Sequence, residues 1–137
     1  MQMKRIITII MISALSLAAV SCGKRANIEG EWKITSVCGQ ELPDTKAAPT
    51  VNFNLETGRI HCYTGVNIVN GEYEYEGRRL TLNGMGMTMM AGPEEDMAVE
   101  RLILDTLEKV RSVRHDDTGG LEFMDENGEV IMTLARR

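Results

Sequence analysis

The chain has 137 residues, 43% hydrophobic and 26% charged, with a formal net charge of −5. That excludes a disordered tail and a multidomain protein, and fits one domain able to bury roughly two-thirds of the surface its unfolded chain exposes. A net-negative chain without a basic stripe also argues against nucleic acid as a partner and against electrostatic adhesion to anionic lipid.

Lys4 and Arg5 precede an uncharged apolar or small-residue run over residues 6–20. Such a run is short for a membrane span, which needs about 20 residues, and suits a signal peptide. It ends in Ala19-Val20-Ser21-Cys22, which resembles a lipobox with Ala19 at the position more often held by Leu. Residues 1–21 therefore read as a lipoprotein signal peptide, Cys22 as the lipid-attachment site and residues 22–27 as a short tether. Residues 28–137 then form the folded domain. The alternative is an ordinary signal peptide with a stray cysteine near its end. Cleavage removes Lys4 and Arg5, and taking two positive charges from −5 leaves −7. Membrane contact is thus expected to be covalent, through acyl chains such as palmitate, each buried methylene contributing about 0.8 kcal/mol. Lys24 follows Gly23 where an Asp would resemble an inner-membrane retention signal, and no acid-rich run comes after it. Both favour the outer membrane, facing the periplasm.

Residues 31–38 read as a half-buried strand with Trp32, Ile34 and Cys38 on one face. A polar connection with two prolines leads to residues 50–55, where Val51, Phe53 and Leu55 are expected inward. Glu56-Thr57-Gly58 turns the chain into a second strand, residues 59–63, completing a hairpin. Residues 64–69 read as a loop, and Asn70-Gly71 as the opening of a strand over 72–76 with Tyr73 and Tyr75 on one face. Gly77-Arg78 turns into residues 79–83, with Leu80 and Leu82 inward, and a methionine segment spans residues 85–90. Pro93 is placed to begin a helix, with Glu94, Glu95 and Asp96 at the positive end of its dipole. Val99, Ile103, Leu107 and Val110 recur at helical spacing, one stripe suited to covering a sheet. Strands over 112–115, 121–124 and 129–135 close the chain, with Val130, Met132 and Leu134 on one face. The expected fold is mainly antiparallel β with one α-helix (α+β). About eight short strands form a meander that curls into a partly closed, barrel-like sheet under a single amphipathic helix.

Gly30 and Trp32, then Thr64-Gly65-Val66-Asn67, then Gly71, Tyr73 and Leu80 follow one another in an order that resembles the META/HslJ family of lipoproteins. Thr88, Met90, Ala91 and Gly92-Pro93 stand for that family's threonine-methionine segment, and Glu100, Leu107 and Val110 fit its acidic helix. The resemblance implies a stress- or envelope-associated role in which a partner-binding surface takes precedence over catalysis. Val66 and Gly92 stand where the family pattern has cysteine. Losing both together implies that the two positions are neighbours, held here by packing alone. With Cys22 lipidated, Cys38 and Cys62 remain, either as a disulfide replacing that crosslink or as two free thiols.

No residue set stands out for catalysis. His61 and His115 lie far apart in sequence, neither in a nucleophile motif, and no phosphate loop, zinc spacing or calcium loop is present. Met85, Met87 and Met89 would share one strand face, and thioethers at that spacing suit Cu(I), with His61 or Cys62 as company. The favoured reading has these methionines filling an irregular core beneath the helix. The sequence thus points to a monomeric, non-enzymatic envelope lipoprotein without cofactor, its partners a membrane and an envelope protein. A small apolar-ligand carrier is the alternative, with copper handling third. A filled interior would favour the interaction module, and an open apolar pocket the carrier.

Overall fold

The structure, a computed structural model, describes residues 26–43 and 47–137; the expected signal peptide and Cys22 lie outside the described residues. Among the described residues nine strands and one helix follow in the order β1 (Gly30–Val37), β2 (Gln40–Glu41), β3 (Thr50–Asn54), β4 (Arg59–Tyr63), β5 (Ile68–Glu76), β6 (Arg79–Met87), α1 (Glu94–Lys109), β7 (Ser112–His115), β8 (Leu121–Met124) and β9 (Val130–Arg136). From β3 to β9 each strand pairs antiparallel with the next, and β1 pairs with both β3 and β9. The meander therefore closes into a ring, which removes most of the unpaired edge of an open sheet. The two-residue β2 lies beside the end of β1, outside the ring.

Alternation of side chains puts one apolar row per strand inside. Trp32, Phe53, Ile60, Leu80, Leu121 and Phe123 are fully buried there. Phe53 stands edge-on to Tyr73 with centroids 5.0 Å apart and to Phe123 at 6.1 Å, so aromatic rings fill the middle of the ring. The Trp32 indole N–H donates to the Ile28 carbonyl at 2.9 Å, and the Arg136 guanidinium lies 4.0 Å from its ring centroid. Ala26 and Ile28 are buried as well. The Asn27 amide donates to His115 Nε2 at 3.1 Å, tying that end of the chain to β7.

Departures from simple alternation have local causes. A bulge between Ile34 and Ser36 shifts the phase of β1, so Val37 points inward where Cys38 was expected to. Cys38 (φ 49) and Gly39 (φ 78) instead form the two left-handed positions of a tight hairpin turn into β2, and Cys38 is exposed. Leu55 was also expected inward, but β3 ends at Asn54 and the turn leaves Leu55 53% exposed. Asn70-Gly71 does not open a strand; it lies in the middle of β5. A Cβ on Gly71 would fall 2.9 Å from the Asn83 carbonyl oxygen and closer still to the Met85 sulfur, so only glycine admits β6 here. Opposite it β6 carries an extra residue, with Gly84 left-handed (φ 58), and continues to Met87 rather than stopping at residue 83.

α1 begins one residue after Pro93, with three acidic residues in its first turn and Lys109 in its last, both favourable to its dipole. Its inward face carries Ile103 and Leu107 but also Glu100 and Thr106. Thr106 meets Cys38, and Glu100 meets Thr64 beyond β4. The helix therefore covers the end of the ring where β1 and β4 finish.

Candidate functional site

Two features stand apart from ordinary packing: a buried polar cluster and an open apolar cleft. Glu100 is 3% exposed, and its Oε1 accepts from Thr64 Oγ1 and from Asn67 Nδ2, each at 2.7 Å. Asn67 Nδ2 also donates to the Met90 carbonyl at 3.0 Å. Its Oδ1 accepts from the Met90 amide at 2.7 Å and from Thr88 Oγ1 at 2.9 Å. Thr64 Oγ1 in turn accepts from the Asn67 amide at 2.9 Å. One asparagine thus ties together the β4–β5 loop, the chain leaving β6 and the helix. With Glu100, Thr64 and Asn67 buried and bonded to one another, the cluster acts as a latch.

The same latch brings the two cysteine-replacing positions together. A Cβ built on Gly92 would lie 2.9 Å from Val66 Cγ2 and 3.6 Å from Val66 Cβ. The latter spacing is within the Cβ–Cβ range of a disulfide.

At the other end of β6 from the latch, β6 and β7 part. They share one ladder pair, Arg79 with Ser112, together with bonds from the Leu80 amide to the Arg111 carbonyl and from the Val113 amide to the Arg78 carbonyl. Beyond Leu80 the strands separate, because the chain between them detours through α1. The gap is a cleft of about 1010 Å³. Leu80, Leu82, Met85 and Met87 line one wall and Leu104, Leu107 and Val110 the other; Arg79, Arg111, Glu108 and Glu126 are its charged lining.

The methionines therefore do not fill a core beneath the helix. Met85 and Met87 are each 37% exposed and line the cleft, while Met89, beyond the end of β6, is 86% exposed. The space under the helix is taken by Leu80, Ile103 and Leu107. His61 and Cys62 lie on β4, separated from β6 by β5, so the strand order sets them apart from the methionine wall. His61 is exposed and bonds to Asn70. Burial pushes the Cys62 thiol up to about 12, which keeps it protonated near neutrality. Cys38 and Cys62 are both free, Cys38 lying 3.6 Å from Thr106 Oγ1. His115, whose Nε2 meets the Asn27 amide, also has its Nδ1 3.2 Å from the Gly120 carbonyl. Among the described residues no group of three or more His, Cys, Asp or Glu is placed to hold a metal, and no helix is long and apolar enough to cross a membrane.

The residues of the latch are among those that carry the likeness noted in the sequence, and the META domain family model matches residues 26–137. The chain belongs to the META domain family. This META domain is also similar in fold to solved structures. One is the NMR structure of a protein from Burkholderia xenovorans, with 19% identity over 85% of this chain and 86% of that one, at a TM-score of 0.63. Another is the crystal structure of a DUF4847 family protein from Bacteroides vulgatus ATCC 8482, with 13% identity over 80% and 94%, at a TM-score of 0.56. Identities this low carry the fold alone. No curated protein matches the sequence. Neither the cleft nor the divergence of β6 from β7 could be read from the chain, since alternation along β6 is the same whether or not its far edge is paired.

Proposed function

We propose that this META domain is a non-enzymatic binding module of the bacterial envelope, lipid-anchored through Cys22, that receives its partner in the cleft between β6 and α1. One observation carries the reading: the ring interior is filled by aromatic and aliphatic side chains, whereas the apolar concavity opens sideways at the β6–α1 divergence. Glu100, a buried carboxylate of the kind an enzyme could use, is engaged by Thr64 and Asn67. The carrier reading survives in modified form, because a cleft of this volume would also accept an acyl chain.

Two measurements test the proposal. Labelled palmitate should enter the protein, and Cys22→Ser should release it from the membrane fraction; unchanged fractionation would remove the anchor. A photo-crosslinker placed at Met87 in cells should give adducts that the same group at Glu74, exposed away from the cleft, does not. Identical adducts at both positions would remove the cleft as the binding surface.

A further inference from the structure

Resting on the cleft reading, we propose that its occupant is an extended, uncharged segment of another polypeptide that adds to the sheet as a strand along β6. The backbone argues this first. β6 is nine residues long, yet among the described residues its β7-facing edge has one ladder pair, at Arg79, and one further amide bond, from Leu80 to Arg111. From Thr81 to Met87 that edge is unpaired and turns amides and carbonyls to the cleft in two short runs, one on each side of the bulge at Gly84, and an extended backbone can answer each run.

The side chains argue the rest. Natural edges are guarded by charge, by proline, by brevity, by a cover or by a bulge, and of these β6 has the bulge at Gly84 with α1 across the cleft. The stretch Thr81-Leu82-Asn83-Gly84-Met85-Gly86-Met87 has no charge and no proline. α1 overhangs the opposite wall with Leu104 and Leu107, so a single strand enters more readily than the edge of a second folded sheet. The charged lining is balanced, Arg79 and Arg111 against Glu108 and Glu126, which selects against a strongly charged occupant of either sign. Apolar side chains on alternate residues of the incoming segment would meet Leu82 and the thioethers of Met85 and Met87, whose flexibility suits more than one sequence.

The test uses the intact protein in phosphatidylcholine nanodiscs, with methionine methyl groups labelled for NMR. The probes are capped peptides of about eight residues, a usual strand length, alternating Thr or Ser with Val, Leu or Phe. Peptides in this set should shift Met85 and Met87 and leave the buried Met132 unmoved. N-methylation of every second amide should weaken binding about tenfold or more in one phase, where the amides face β6, and leave it unchanged in the other. Met87→Lys, which adds a guarding charge at the exposed end of β6, should weaken binding to a similar degree while the Met132 signal reports an intact core. Equal loss in both N-methylation phases, or in neither, would overturn strand addition. Palmitate is the control for the other class: if it shifts Met85 and Met87 and no peptide does, the occupant is wrong and the cleft stands. If neither probe moves them, the cleft reading falls too.

Discussion

Glu100 and Cys62 show how much of this protein is settled by single buried groups. Replacing Glu100 with Ala leaves the buried Thr64 hydroxyl and an Asn67 N–H without their acceptor, a cost of about 2–4 kcal/mol. Glu100→Gln keeps an acceptor oxygen in place and should cost about 1 kcal/mol. Urea unfolding of the two variants checks this, and equal losses would mean that the hydrogen bonds contribute nothing beyond packing. Cys62 sits among apolar side chains on β4, and desolvation raises its thiol from the ordinary 9.0 to about 12. Because the folded value is the higher one, its contribution is fully present below pH 9 and is lost as pH rises from 9 toward 12. Thermal unfolding should lose stability across that alkaline window, and Cys62→Ala should lose less. In native protein Cys38 should react with a thiol reagent in seconds to minutes and Cys62 only after unfolding, as exposure and thiolate character dictate.

At the scale of elements, the latch fixes how the β4–β5 loop and the chain leaving β6 meet, and Val66 against Gly92 is the measure of it. The double variant Val66→Cys/Gly92→Cys should close a disulfide on air oxidation with little movement, and add roughly 3 kcal/mol by restricting the unfolded chain. Free-thiol counting before and after reduction checks it, and a variant that keeps both new thiols free would mean that the two segments are further apart than their contact implies. The Asn70-Gly71 pair teaches the opposite lesson about legibility. As a dipeptide it signals a turn, yet here the glycine is needed because β6 crosses close to its Cα, opposite the bulge at Gly84. Local turn chemistry and close approach select the same residue, and sequence alone cannot separate them.

For the molecule as a whole, ring closure distributes stability unevenly. β1, paired on both edges by β3 and β9, and the β8–β9 hairpin surround the aromatic centre, whereas β6 beyond Leu80 is bonded on one side. Amide hydrogen exchange should therefore be slowest in Trp32, Ile34 and Phe123 and markedly faster at β6 amides facing the cleft, from Leu82 onward. Uniform protection along β6 would mean that the gap to β7 closes in solution. The uneven distribution is also what makes the cleft available: the helix detour between β6 and β7 leaves one flank of the sheet incompletely paired beside an apolar wall.

The chain by itself determined the antiparallel class, the inward rows Trp32–Ile34, Val51–Phe53 and Met132–Leu134 (but not Val130, which a register shift in β9 leaves 37% exposed), the covering helix and the family, because these come from periodicity and from the order of short motifs. It also carried the residue types that form the latch. Only the tertiary structure decided that Asn67 joins three segments, that Cys38 turns outward while Val37 turns in, and that the methionines face a cleft instead of a core. The second depends on register, since one extra residue in a strand reverses the face of every later residue in it; the first and third depend on which distant segments meet, which alternation along one strand does not record.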